Sequence, residues 1–234
     1  MAKEKIILEN KICEDNYTDY VCEKYDIQNT EKTIVEIPNI DVSELDNFNW
    51  NIGVICGNSG SGKSTLLKTI GKIKDPTFIH NKCVCSQFPN LSEQEVCDLL
   101  TSVGLSSIPT WLREPFQLSN GEFARLSLAK LLSEANEGDI ILIDEFSSTI
   151  NRHSAISMSY ALQRYARKKN LKIIVACCHF DVIEPLKADW VFNLNKQTDG
   201  TSEIERLIYS DDKDYELYKD VSDGEVLTAE MILN

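Results

Sequence analysis

A chain of 234 residues, 42% of them hydrophobic, is long enough for one large α/β domain or two small ones. Its formal charge of −13 argues against non-specific binding of nucleic acid or anionic membrane over the whole surface. No apolar run approaches the roughly 18 residues that span a bilayer, and Met1-Ala2-Lys3-Glu4-Lys5 opens no secretory leader, so a soluble cytoplasmic protein is expected.

Residues 1–50 alternate apolar and polar positions in short runs: Ile6-Ile7-Leu8, Tyr20-Val21-Cys22 and Thr33-Ile34-Val35-Glu36-Ile37. Asn10, Asp15-Asn16, Asn29 and Pro38-Asn39 punctuate them, a pattern that predicts an antiparallel β-layer. Tyr20 and Tyr25 are candidates to stack on a nucleotide base, although a lone aromatic is more often ordinary packing.

Asn51-Ile52-Gly53-Val54-Ile55-Cys56 then reads as a short buried strand, and Thr65-Leu66-Leu67-Lys68-Thr69-Ile70 as a helix start. Between them, Gly57-Asn58-Ser59-Gly60-Ser61-Gly62-Lys63-Ser64-Thr65 fits the phosphate-binding pattern G-x-x-x-x-G-K-[ST]. Glycines let successive amide hydrogens converge on phosphate oxygens, and the helix N-terminus adds partial positive charge. Lys63 is placed to reach the β- and γ-phosphates, and Ser64 to offer its hydroxyl to Mg²⁺. This is the pattern of a nucleotide-binding protein.

Lys82-Cys83-Val84-Cys85 reads as a strand, followed by a helical segment over 92–108 with apolar Val96, Leu99, Leu100 and Val103, broken at Gly104 and Pro109. A second helix runs from Phe123 through Leu132, and Ser119, Asn120 and Gly121 stand where its N-cap would fall. Such a helix start is a second possible anion site, and by itself an ordinary capped helix.

Asp139-Ile140-Ile141-Leu142-Ile143-Asp144-Glu145 is a buried strand ending in two carboxylates. Acids there lie where open α/β sheets bind ligands. Asp144 is placed to hold Mg²⁺ through its water shell, and Glu145 to polarise an attacking water. Leu171–His179 is another buried strand whose terminal histidine would reach the γ-phosphate if it lies beside this core, and Asp189–Leu194 is a further strand. None of the eight cysteines forms a C-x-x-C pair, so buried reduced thiols are expected rather than zinc or disulfides. From Lys196 onward eleven acids face four bases, a net charge of −7; Glu203–Ile208 allows one more strand, and the Asp211–Glu216 run reads as solvated.

Together these motifs resemble the ATP-binding-cassette (ABC) ATPase family over roughly residues 5–208. The parts follow the family order: the phosphate loop 57–65, Gln87 as the Q-loop glutamine, Leu118-Ser119-Asn120-Gly121-Glu122 as the signature, Asp144-Glu145 as the second nucleotide motif, and His179 as the switch histidine. The resemblance implies an α/β fold of P-loop type. Its mainly parallel core (51–87 and 134–208) would carry the β-layer 1–50, a short helical lobe 88–133 and an acidic segment 209–234. It also implies ATP and Mg²⁺ as ligands, with Gln87 joining Ser64 and Asp144 at the metal. ATP would induce a head-to-tail homodimer in which Ser119 and Gly121 meet the γ-phosphate of the partner's ATP, with hydrolysis opening the pair. Lys63, Glu145 and His179 are then the catalytic set.

Several positions depart from the family pattern: Asn120 for glycine, Glu122 for glutamine, and Asn151 where an aspartate is usual. The details are similar to a subgroup of soluble bacterial and phage ABC-type ATPases, some of them joined to acetyltransferase domains. The short lobe favours a soluble, non-transport protein partner. The alternative is an ATP-binding subunit of a membrane transporter docked on a permease. A nucleic-acid-associated ATPase is the further alternative, and no sustained heptads or strong nucleic-acid signal support it.

Overall fold

The computed structural model of the protein describes residues 5–11, 15–26, 32–40, 42–136, 138–196, 204–209, 215–219 and 226–228. At its start, β1 (Lys5–Lys11) pairs antiparallel with β2 (Lys32–Pro38), Lys5 opposite Pro38 and Lys11 opposite Lys32. Between the strands lies α1 (Asn16–Tyr25), so the Tyr20-Val21-Cys22 run expected as a strand is helical. A capping box decides it: the Asp15 carboxylate accepts from the amides of Tyr17 and Thr18 at 2.9 and 2.8 Å, and the Thr18 hydroxyl accepts from the Asp15 amide at 2.9 Å. These bonds satisfy the orphan donors of a helix start and override a weak β pattern.

The chain next forms β3 (Ile52–Cys56) and α2 (Lys63–Ile70), which flank the phosphate loop as the sequence predicts. Residues 82–85 correct a second expectation, because Val84–Gln87 is a 3-10 turn and not a strand end. Its backbone bonds go to the lobe, with the Val84 amide donating to Arg113 O at 2.9 Å. The lobe contains α3 (Glu93–Ser102), the single-turn α4 (Ile108–Trp111) and the first turns of α5 (Asn120–Ser133). Then follow β4 (Ile140–Ile143), α6 (Arg152–Lys168), β5 (Lys172–Cys177), the short α7 (Ile183–Leu186) and β6 (Trp190–Asn193).

β7 (Glu205–Tyr209), β8 (Tyr215–Lys219) and β9 (Val226–Thr228) complete a seven-stranded sheet in the order β4-β5-β3-β6-β7-β8-β9. The first four strands are parallel and the last three extend them antiparallel. Part of the acidic run expected to be solvated is therefore strand: residues 211–214 lie outside the described residues, while Tyr215 and Glu216 open β8.

Alternation along β3 divides the core. Ile52, Val54 and Cys56 join the cluster under α3, α5 and α6, whereas Ile55 joins Leu66 and Leu67 of α2, Trp50 and Ile37 on the other face. Gly53 serves that second face, because a Cβ there would lie 2.0 Å from the Trp190 ring. Trp190 stacks edge-on against Trp50 with centroids 5.6 Å apart. At the amino end of the sheet one Asp189 oxygen accepts from the amides of Asn51 and Ile52, each at 2.8 Å, and the other accepts from Arg167 Nη2 at 3.0 Å. This fixes where β3 begins, and hence where the phosphate loop emerges.

Candidate functional site

Four parallel strands end at one edge of the sheet, and each delivers a polar segment there. β3 leads into Gly57, β4 into Asp144-Glu145, β5 into Cys178-His179 and β6 into Leu194-Asn195. β5 lies between β4 and β3, so the carboxylates and the phosphate loop are separated by the strand that carries the histidine.

The loop over Gly57, Asn58, Ser59, Gly60, Ser61 and Gly62 closes with Ser61 N donating to Asn58 O at 3.1 Å. Gly62 sits at φ 95°, and a Cβ there would stand 2.4 Å from Ile37 Cδ1, so the end of β2 packs under the loop. Lys63 Nζ donates to the carbonyls of Gly57 and Asn58, both at 2.7 Å, and is thereby held over the loop. Ser64 and Thr65 occupy the first turn of α2, and the Ser64 hydroxyl has no protein partner among the described residues.

Asp144 Oδ1 accepts from the Glu145 amide at 2.9 Å. Glu145 has φ 50° and Ser147 φ 68°, conformations that non-glycine residues adopt only when the surroundings impose them. The imposing contact is the Phe146 amide, which donates to Ala176 O of β5 at 2.8 Å while the Phe146 ring is buried. Glu145 is thus an exposed residue directly after Asp144. His179 is half-buried at the end of β5, and its carbonyl accepts from Cys177 Sγ at 3.4 Å. Burial pushes the Cys177 thiol up to about 12, which keeps it protonated. Two turns are tied together where Arg152, the first residue of α6, forks onto Asp181. That pairing holds the Asp181 carboxyl below its ordinary range.

At the start of α5 the Ser119 hydroxyl accepts from the Glu122 amide at 3.3 Å. In return Glu122 Oε2 accepts from Ser119 N at 2.9 Å and Ser119 Oγ at 2.8 Å, and Oε1 accepts from Thr110 Oγ1 at 3.1 Å. The Ser119 amide and hydroxyl hold the Glu122 carboxyl below the usual range. Glutamate in place of glutamine therefore completes a capping box. Asn151 likewise has a local task, capping α6 by accepting from Ser154 N at 2.9 Å. Gly121 lies against Ile150, where a Cβ would be 3.2 Å from Cγ2. The start of α5 therefore meets the segment that follows Glu145.

Two expected site residues have other contacts in this structure. Gln87 is fully buried: its Oε1 accepts from Ile79 N at 2.7 Å, and its Nε2 donates to Ile79 O and Lys82 O at 3.1 and 2.8 Å. In this conformation its amide anchors the 79–82 loop. Tyr25, like Tyr20, is exposed on α1, with Lys24 over both rings. The thiols also differ from expectation: among the described cysteines all are free, but only Cys56 and Cys177 are buried. Sequence reasoning missed Asn195, which bonds Asn58, the Arg152–Asp181 fork, and Lys130 Nζ donating to Gln87 O at 2.8 Å. No local pattern marks any of them, since each partner is distant in sequence.

The set can hold a nucleotide and a divalent ion. A loop of backbone donors, a lysine already poised over it and an unengaged hydroxyl follow β3, and an acidic pair follows β4 at the same sheet edge, the donor chemistry that Mg²⁺ and phosphate require. No helix among the described residues is long and apolar enough to cross a membrane.

Comparison with known proteins follows the same lines. Residues 14–189 match a family model described as the Rad17 P-loop domain. Similar curated proteins include methionine import ATP-binding protein MetN 1 of Oenococcus oeni, 26% identical over 216 residues, spanning 68% of this chain and 61% of that one. Another is MetN of Staphylococcus haemolyticus, 26% identical over 196 residues, spanning 61% of this chain and 55% of that one. The chain thus spans about three fifths of the length of the curated relatives it matches. Among solved structures, the dimeric form of MJ0796, a bacterial ABC transporter cassette, superposes with TM-score 0.50 at 17% identity over 74% of this chain and 92% of that one. Its post-hydrolysis form bound to ADP and Pi gives 0.52 at 18% over the same shares. At those identities the likeness speaks for the fold.

Proposed function

The chain belongs to the P-loop class that the Rad17 P-loop domain represents and, within it, to the ABC ATPase family, and on that premise we propose that it binds Mg-ATP at residues 57–65 and hydrolyses it between two head-to-tail protomers. The observation that supports this reading is the shared sheet edge, at which β3, β4 and β5 lead into the segments that carry Lys63, Asp144-Glu145 and His179.

Lys63 turns its ammonium from the Gly57 and Asn58 carbonyls to the β- and γ-phosphate oxygens, assisted by the amides at the start of α2. Ser64 and Asp144 would hold a divalent ion, which when bound would neutralise charge that develops on the phosphates. Glu145 orients and polarises the attacking water, and His179 approaches the γ-phosphate from the end of β5. The Ser119 helix start supplies a second, partial positive charge from the partner protomer. The solved relative described as dimeric supports the two-protomer arrangement.

For the coupled partner, the relatives favour a reading other than the soluble one. They are named for import and for a transporter cassette, which supports an ATP-binding subunit of a membrane transporter over an ATPase with a soluble partner. The lobe agrees with a docking role. Of the apolar positions expected to pack the lobe, Val96, Leu99, Leu100, Val103 and Leu105 are buried and Leu91 is half-buried, while Ile108, Leu112 and Phe116 stand 63, 69 and 76% exposed. Exposed apolar side chains at 108, 112 and 116 are consistent with a contact face on this segment.

The ATPase reading is tested with Glu145→Gln, which keeps shape and removes the carboxylate. The variant should bind Mg-ATP, cease turnover and persist as a dimer by light scattering, and adding Ser119→Arg should dissolve that dimer. A Glu145→Gln protein that turns over normally defeats the reading. For the partner, a cysteine cross-linker at Glu93 and Leu112 in cells carrying Glu145→Gln should capture a multi-spanning membrane protein. A soluble protein as the dominant adduct would restore the soluble-partner alternative.

A further inference from the structure

The segment after β6 plays no part in the reading above, yet it touches the phosphate loop. Asn195 Oδ1 accepts from the Asn58 amide at 2.8 Å, and Asn195 Nδ2 donates to Asn58 Oδ1 at 3.2 Å. The asparagine is itself held, since its amide donates at 2.9 Å to Oδ1 of Asn193, a buried residue at the end of β6. Asn58 is the second residue of the loop, and its carbonyl accepts from both Ser61 N at 3.1 Å and Lys63 Nζ at 2.7 Å.

We infer that Asn195 is a positioning residue for phosphate binding: its side-chain amide grips Asn58 through two hydrogen bonds and sets the first half of the phosphate loop. The inference rests on the ATP-binding reading of residues 57–65. A chain from the rigid β6 through Asn193 and Asn195 fixes Asn58. Asn58 in turn fixes the amide of Ser61 and the resting place of Lys63, the two donors that the phosphates must recruit. The loop is pinned on its β3 side by the parallel sheet and on its α2 side by the helix, and Asn195 supplies the restraint between them. Preorganised donors bind phosphate without an ordering cost at the moment of binding. Asn195 touches no substrate in this account and acts through the loop.

Asn195→Ala removes both bonds at an exposed side chain, so the fold should survive with only a small fall in the unfolding midpoint. Two net hydrogen bonds correspond to roughly a five- to tenfold weakening of ADP and Mg-ATP binding in calorimetry. Saturating turnover should stay within about twofold, a KM effect and not a kcat effect. Asn58→Ala keeps its own backbone donor to Asn195 and should lose about twofold, and the double variant should be no weaker than Asn195→Ala alone, since both act on one contact. A readout free of nucleotide is amide exchange of Asn58 in the ligand-free protein, slow in the wild type and fast in Asn195→Ala.

If the wild type binds no nucleotide, the ATP reading fails while the exchange result still judges the Asn195 contact. If the wild type binds and Asn195→Ala binds equally well, or if the two single effects add in full, the inference is overturned and the ATP reading stands.

Discussion

Replacing Glu122 by glutamine keeps the length of the side chain and removes its charge, which separates two roles at the start of α5. In the folded protein the carboxylate accepts from Ser119 N at 2.9 Å, Ser119 Oγ at 2.8 Å and Thr110 Oγ1 at 3.1 Å. A glutamine oxygen can retain the Ser119 contacts, but as neutral bonds. Bonds to a charged group are worth about 1.5–3 kcal/mol and neutral ones about 0.5–1.5 kcal/mol, so the two Ser119 contacts lose about 2 kcal/mol before screening. Discounting by about half for the solvent-facing side leaves a destabilisation of about 1 kcal/mol at neutral pH. In urea this moves the midpoint down by about 0.4 M for a slope near 2.5 kcal/mol/M.

The pH dependence gives a second, independent check. The folded-state pKa of Glu122 is lowered, chiefly by the Ser119 amide. Its stabilisation is therefore fully present above the unfolded glutamate pKa and is lost as pH falls through the folded value. The gap between wild type and Glu122→Gln should close on acidification, and urea titrations at neutral pH and at about pH 3 measure it. Equal midpoints at neutral pH, or a gap that survives undiminished at the acidic end, would refute the capping account. Under the two-protomer reading the same change removes an anion from the helix start that faces the partner's γ-phosphate. Glu122→Gln in the Glu145→Gln background should then tighten the ATP-dependent dimer even as it weakens the fold.

Lys63→Ala should remove tight Mg-ATP binding in calorimetry, because it deletes the cation held over the loop by Gly57 and Asn58; unchanged affinity would displace the phosphate site from residues 57–65. Gly53→Ala should cost about 2 kcal/mol or more in urea unfolding, since its Cβ would fall 2.0 Å from the buried Trp190 ring; a loss under about 0.5 kcal/mol would mean that Trp190 has room to move. A maleimide at pH 8 should modify the exposed Cys178 while sparing Cys177, whose buried thiol is pushed up to about 12; mass spectrometry of the labelled peptide reads this directly, and equal labelling would show that β5 opens.

What was legible in the sequence was what is local. The phosphate loop announces itself by spacing, β3, β4 and β5 by unbroken apolar runs, and the start of α5 by Ser119 three residues before Glu122. The errors lie where hydrogen bonds, some distant and some local, override a strand-like composition. Lys82–Cys85 has strand-like composition, but its amides turn to Arg113 and the buried Gln87 amide gathers Ile79 and Lys82 around itself. Tyr20-Val21-Cys22 alternates like a strand, and only the Asp15–Thr18 box shows that the segment is helical.

The departures from the family pattern follow the same logic. Asn151 and Glu122 replace the usual aspartate and glutamine, and each is engaged in capping its own helix, α6 and α5 respectively. Through Gly121 and Ile150 those two helix starts touch, which places the signature-like turn against the segment leaving Glu145 within one protomer. The residue that presents the carboxylate, Glu145 at φ 50°, is held in that posture by Phe146 bonding to β5, the strand that ends in His179. These three turns are thus joined through β5 and the residues that lead into α6. The same short path runs through the Arg152–Asp181 fork, which binds the start of α6 to the turn after His179. Under the proposed ATPase reading, Glu145 and His179 are therefore held on turns joined by the Phe146 bond to β5 and the Arg152–Asp181 fork, contacts that make no use of an aspartate at position 151.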